Sequence, residues 1–236
     1  MAIKRGGFIS KSAYIAGLQC LKALYFYKNY YQFRDPLSPE LQVRFKQGHD
    51  FGKLAWELFP NGIDCSPASN YPSDIKKAEN KVKEILANQE KAVIYEATFS
   101  STDFLSILDI MVKENNQLIA YEVKSSVELS ETYFNDAAFQ YYVMNLANFK
   151  PDKFYLVHLA SKTDFDHITI EDIICTDVTK EIVDLQDYIA ENANKMTKAK
   201  NDIGTLKEIT HGNHCEHPYK CNFTKICELT EKIISL

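Results

Sequence analysis

Two apolar runs joined by an Asn-Asn pair constrain this chain more than any other feature. Phe104 to Val112 and Leu118 to Lys124 are short and rich in β-branched and aromatic residues, the pattern of strands. Asn115-Asn116 between them tolerates the positive φ of a two-residue hairpin loop. With that loop the numbers of paired residues sum to 231, so Asp109 faces Glu122, with β-carbons about 5 Å apart. Lys124, two residues further on, points to the same face as Glu122. Charges within apolar strands are costly unless paired or metal-bound. Two facing carboxylates repel, and Lys124 alone is a weak remedy. A divalent ion offsets the repulsion, and oxygen ligation suits Mg²⁺ or Mn²⁺. The plain alternative is a buried ion pair beside an acid at an exposed edge.

The flanking sequence predicts an α/β chain. Helices are expected over Ser12 to Tyr30, from Ser38-Pro39-Glu40 to about Pro60, and over Ser73 to Asn88. The last is more polar and is expected outside the core. Further strands are expected over Ala92 to Phe99, Phe154 to Leu159 and Ile173 to Val178, with helices over Glu131 to Asn148 and Lys180 to Lys200. No repeat or low-complexity linker interrupts the pattern, so one domain is expected over residues 1–236. Its parts are a helical section (1–90), a core with a mixed sheet flanked by helices (91–206) and a cysteine-bearing tail (207–236).

Net charge is −5, which argues against a generic polyanion binder, but the average hides a split. Residues 1–53, including Lys4 and Arg5, carry a net +6 and the remainder −11. A basic section on an acidic body attracts phosphate locally, although a solvated pair of helices explains it equally well. The start has no apolar secretory segment and no run is long enough to span a bilayer, so a soluble, cytoplasmic protein is expected.

Six cysteines in such a chain point to metal rather than to disulfides. Cys20 lies in the first predicted helix, and Cys215, Cys221 and Cys227 follow one another at equal intervals in a polar, Pro-containing tail that gains from being tied down. Cys65 and Cys175 read as ordinary buried cysteines.

Asp109 followed by Glu122-Val123-Lys124 on the neighbouring strand resembles the PD-(D/E)XK nucleases. Further residues resemble the RecB-like branch, which includes the CRISPR-associated exonucleases of spacer acquisition and the AddB-type repair subunits. The resemblance spans nearly the whole chain and implies a restriction-endonuclease-like core. It implies that His49, in Gln47-Gly48-His49-Asp50-Phe51-Gly52, joins Asp109, Glu122 and the Val123 carbonyl around Mg²⁺ or Mn²⁺. Lys124 would then position the attacking water or stabilise charge on the phosphate. Glu96 occupies the place of a strand acid near such sites, or is a solvated edge residue. Gln140 matches the family's helix Gln and would organise the site or touch substrate. The Tyr four residues later is replaced by Met144, which leaves Tyr141 as the nearest substitute. One early and three late cysteines resemble that branch's [4Fe–4S] pattern, although the family's gap between its second and third cysteines is shorter. Zinc, held by the four thiolates or with His214 or His217 in place of one, is the alternative. The implied activity is a metal-dependent deoxyribonuclease, an exonuclease on single-stranded DNA ends leaving 5′-phosphate and 3′-hydroxyl products. DNA repair, recombination or CRISPR adaptation is the implied setting, and a helicase or integrase partner is implied by resemblance only. A catalytically idle, cluster-stabilised nucleic-acid-binding protein is the alternative function, and a redox protein would leave Asp109, Glu122 and Lys124 unexplained.

Overall fold

The computed structural model describes residues 7–160, 167–202, 204 and 207–234, with side chains to 231; Lys4 and Arg5 lie outside the described residues. In chain order its elements are β1 (Ile9–Ser10), α1 (Lys11–Gln19), α2 (Leu21–Asn29), α3 (Pro39–Trp56), β2 (Ile63–Asp64), α4 (Pro72–Asn88), β3 (Ala92–Ser100), β4 (Phe104–Glu114) and β5 (Gln117–Val123). They continue with α5 (Glu131–Leu146), β6 (Lys153–Leu159), β7 (Ile173–Asp177), α6 (Thr179–Asp184), α7 (Gln186–Ala199) and α8 (Thr224–Ile234).

One seven-stranded mixed sheet, in the order β2-β3-β4-β5-β6-β7, forms the middle layer. β3, β4 and β5 make an antiparallel meander, α5 carries the chain across to a parallel β6, and β7 closes the far edge antiparallel. Leu105 pairs with Ser100 of β3 on one side and with Ser10 of β1 on the other. β1 therefore continues the line of β5 along β4, and α1 starts directly beyond it.

The larger core lies between the sheet and α1, α4, α5 and α7, with Tyr14 stacked on Phe139 at 4.2 Å. The opposite face is covered by the C-terminal end of α3, where Trp56 stacks on Tyr95 at 4.1 Å. The Tyr95 hydroxyl donates to the Phe59 carbonyl at 2.5 Å. A β-carbon at Gly62 would sit 2.2 Å from the Tyr95 ring, so only glycine fits there.

Three expectations are corrected. The first predicted helix breaks at Cys20, whose extended backbone (φ −162, ψ 120) separates α1 from α2. The long C-terminal helix is divided at Leu185, whose backbone stays in the helical region (φ −83, ψ −5). α4, expected outside the core, packs Val82, Ile85 and Leu86 into it and also buries Ile75 and Ala78. Apart from Glu79, which is buried against Lys76, Lys83 and Ser100, its charges lie away from the core, and that amphipathic division outweighs its polar average. Among the described residues no helix is long and apolar enough to cross a membrane.

Candidate active site

The hairpin turns at Asn115 (φ 51) and Asn116 (φ 61), both left-handed as a two-residue loop requires. The ladder runs from Glu114–Gln117 to Ile110–Tyr121, so the next rung sets Asp109 beside Glu122. The Val123 amide donates to Asp109 Oδ2 at 2.6 Å and fixes that carboxyl. Glu122 is 1% exposed. Its Oε1 accepts from Lys124 Nζ at 2.7 Å and from Lys11 Nζ at 2.6 Å. Its Oε2 is buried with no hydrogen-bond partner among the described residues.

On the other side of β4, Tyr95–Ile110 and Ala97–Leu108 bracket Glu96 and Asp109. Glu96, Asp109 and Glu122 thus occupy one rung across three strands. Here the strands also change face. Ile94 and Ala97, three residues apart, both join the larger core, as do Leu108 and Met111. Glu96 absorbs the change with φ 53, an uncommon conformation for a residue other than glycine and one frequent at functional positions.

Burial, then the Glu122 charge, lifts the Asp109 carboxyl well above the usual range, against Lys11 and Lys124. Burial also acts to raise Glu122, but Lys11 and Lys124 outweigh it and hold Glu122 below its ordinary value. Of the two facing carboxyls, Asp109 is thus the one whose ionisation is disfavoured and Glu122 the one whose ionisation is favoured. Glu96 is raised to about 7, by burial first and Glu122 second, with Lys11 opposing. For Lys124, burial is outweighed by Asp136 and Glu122, so its ammonium is raised.

α5 supports the rung from behind. Asp136 binds the Lys124 ammonium and accepts from Gln140 Nε2 at 3.4 Å, and Gln140 Oε1 accepts from Ser106 at 3.0 Å. The Lys124 ammonium also lies 5.4 Å from the Tyr133 ring centre. Gln140 is fully buried, so it organises Asp136 and does not reach a ligand itself. Tyr141 faces the larger core and is removed from the site.

A cleft of about 1690 Å³ opens beside this network. Lys11, Lys124 and Asp136 line it, together with residues of α3 and of the segment 219–228. Asp109 and Glu122 lie behind the two ammoniums. Arg34 and Arg44 also line it, whereas Lys22 and Lys28 are buried and bind the carbonyls of Ile209 and Phe8. The basic N-terminal section thus includes both cleft-facing and structural cations, while Lys46 and Lys53 are exposed outside the cleft lining.

His49 stands exposed on α3, and no three His, Cys, Asp or Glu side chains among the described residues are gathered to hold a metal ion. The structure does not bring His49 to Asp109 and Glu122. The sequence reading also missed Lys11 and Asp136. Asp136 had a signal, since it lies one helical turn before Gln140. Lys11 had none, because only the pairing of β1 with β4 brings it to the rung.

The cysteine tail folds back on α2. Cys20, Cys221 and Cys227 pack around Ala23, Phe26 and Phe223, and the Cys221 amide donates to the Cys215 carbonyl at 2.7 Å. Burial pushes the Cys221 and Cys227 thiols up to about 11, and Cys20 and Cys215 add to the shift at Cys221. Cys227 Sγ donates to Glu231 at 3.4 Å. His214 is half-buried and His217 exposed. Cys65 is buried as expected, but Cys175 is exposed on β7 because it lies on an edge strand.

No family model matches the sequence, and no curated protein matches it. Among solved structures, the chain is similar to an alkaline exonuclease from Laribacter hongkongensis at 12% identity and TM-score 0.39, covering 86% of this chain and 93% of that one. A protein named SSO0001 matches at 12% identity and TM-score 0.38 over 96% of this chain and 88% of that one. A protein from Eubacterium rectale, named provisionally as an exonuclease, matches at 14% identity and TM-score 0.39 over 83% and 82%. Overlaps this loose carry no inference about activity, and the geometry of the rung must supply one.

Proposed function

We propose that this chain is a metal-dependent phosphodiester hydrolase of the PD-(D/E)XK type, acting on DNA as an exonuclease at single-stranded ends. The observation that carries the reading is the register of one hairpin. It sets Asp109 beside Glu122 and brings Lys124 onto the Glu122 carboxylate, at the back of an open cleft.

The donor set fits a hard cation. Glu122 Oε2 is a buried acceptor with no hydrogen-bond partner among the described residues, and a cation would relieve the burial and the Glu122 charge that disfavour ionisation of Asp109 beside it. Asp109, Glu122 and the Val123 carbonyl would hold Mg²⁺ or Mn²⁺. Two carboxylates suit Mg²⁺, which usually keeps several waters and takes only one or two protein carboxylates. His49 is left out of this set. The ion would polarise the scissile phosphate and acidify a bound water. The chain's own residues do the rest. The Val123 amide orients Asp109, and Asp136 with Tyr133 holds Lys124 at the cleft wall, where its ammonium can meet charge developing on a phosphate. Gln140 keeps Asp136 in place.

We also assign Cys20, Cys215, Cys221 and Cys227 to a [4Fe–4S] cluster that ties the tail to α2. A tetrahedral zinc ion with Zn–S near 2.3 Å needs thiolates about 3.8 Å apart. Cys20, Cys221 and Cys227 pack in one group, Cys20 and Cys215 both act on the Cys221 thiol, and a [4Fe–4S] cluster takes four thiolates.

Both assignments have direct tests. Lys124→Ala and Asp109→Ala are assayed on labelled single-stranded DNA with Mn²⁺; cleavage at the wild-type rate by both defeats the nuclease reading. Protein purified without oxygen should be brown, with absorbance near about 400 nm. Colourless protein with one equivalent of zinc reverses the cluster assignment.

A further inference from the structure

Lys11 has no place in the PD-(D/E)XK pattern, yet the fold delivers it to the centre of the rung. Ser10 pairs with Leu105, α1 begins at the next residue, and the Lys11 ammonium reaches Glu122 Oε1 at 2.6 Å and lies 3.8 Å from Asp136. A cation in the first turn of a helix opposes the helix dipole, and burying its stem costs side-chain entropy. Helix formation therefore does not explain a lysine here.

The two lysines of the site are held differently. Lys124 bonds to two carboxylates, lies by the Tyr133 ring, and its side chain is 13% exposed. Lys11 makes one short hydrogen bond, to Glu122, and its side chain is 29% exposed on the cleft. An ammonium has three N–H donors, so Lys11 can keep Glu122 and still offer donors to the cleft. Both ammoniums line the cleft whereas Asp109 and Glu122 do not, so an anion entering the cleft meets them before those two carboxylates.

Resting on the phosphodiesterase reading, we propose that Lys11 is a second substrate-binding lysine, donating to a non-bridging oxygen of the bound phosphodiester while Lys124 stays clamped by Asp136. Three carboxylates (Asp109, Glu122 and Asp136) face two ammoniums here. Removing Lys11 would leave an anionic substrate facing those acids with one ammonium.

The test measures binding and cleavage separately. A fluorescein-labelled oligothymidylate is titrated by anisotropy in Ca²⁺ over a range of NaCl, and cleavage of the same strand is followed in Mn²⁺. The proteins are wild type, Lys11→Ala, Lys11→Gln and Lys11→Arg, with matched melting curves. Lys11→Ala and Lys11→Gln should flatten the slope of log K against log salt by about 0.7, the loss of one phosphate contact on a single strand. Their kcat/KM should fall about 10- to 100-fold, the range for a charge-assisted hydrogen bond. Lys11→Arg should restore the slope. A lysine that only neutralises Glu122 would leave the slope unmoved. An unchanged slope and kcat/KM in a folded Lys11→Gln protein overturns the inference, and if Asp109→Ala has lost cleavage the nuclease reading still stands. A flattened slope in a protein that never cleaves upholds Lys11 as a phosphate ligand and sinks the nuclease reading. Wild-type protein that neither binds nor cleaves overturns both.

Discussion

Glu96 titrates inside the range where most assays are run, and that gives a sharp prediction for Glu96→Gln. In the folded chain the carboxyl keeps its proton up to about 7, against an ordinary value of 4.5, because burial and the Glu122 charge disfavour ionisation. Below 4.5 both folded and unfolded chains are protonated, and the group is neutral for stability. Between 4.5 and 7 the unfolded chain releases the proton and the folded chain retains it, so stability falls as pH rises. Above 7 the full penalty is present. At about 1.4 kcal/mol per tenfold change, that interval corresponds to about 3 kcal/mol, reduced to about 2 kcal/mol because Glu96 is only partly buried. Glutamine cannot ionise and should remove the slope. Urea unfolding of both proteins in EDTA, from pH 5 to pH 8, should show Glu96→Gln gaining on wild type by about 2 kcal/mol across the range. Parallel stability curves for the two proteins would refute the reasoning, since Glu96 would then ionise freely.

Burial and the Glu122 charge disfavour ionisation of Asp109, and a divalent ion needs it ionised, so Mg²⁺ affinity by calorimetry should rise with pH, by up to about tenfold per unit, and a pH-independent affinity contradicts the assignment. Asp136→Asn leaves Lys124 with one carboxylate; kcat should drop about 10- to 100-fold with little change in melting temperature, and unaltered kcat removes Asp136 from the site. Phe139→Ala opens a cavity between Tyr14 and Phe104 and should cost about 4 kcal/mol in urea unfolding; a loss below about 1 kcal/mol would mean that the core closes over the gap. Cys221→Ser should release the tail from α2, read as faster proteolysis after residue 207 and loss of absorbance near about 400 nm, whereas an unchanged digest separates the thiols from tail docking.

The hairpin was legible in the sequence because every contributor to it is local. Asn115 and Asn116 fix the loop, a two-residue loop fixes the register, and the register puts Asp109 beside Glu122. Strands β3 to β7 and the sequence position of α5 follow in the same way from period and length, whereas the two-residue β1 and β2 are too short to show a period. Other features depend on parts of the chain that meet only when folded. The pairing of β1 with β4 carries Lys11 across to Glu122, 111 residues away in sequence. The change of face at Glu96 and Asp109 requires two strands to switch together, and no single strand's pattern encodes it. The break at Cys20 turns a continuous helical pattern into two helices, and the tail then packs against the second. His49 marks the opposite limit: its local pattern resembled a ligand, but the placement of α3 leaves it in solvent. Local sequence thus set the two carboxylates and the motif lysine, because strand period and turn chemistry act over a few residues. Long-range packing decided which further charges reach them, because burial and Coulomb energy depend on distances through space.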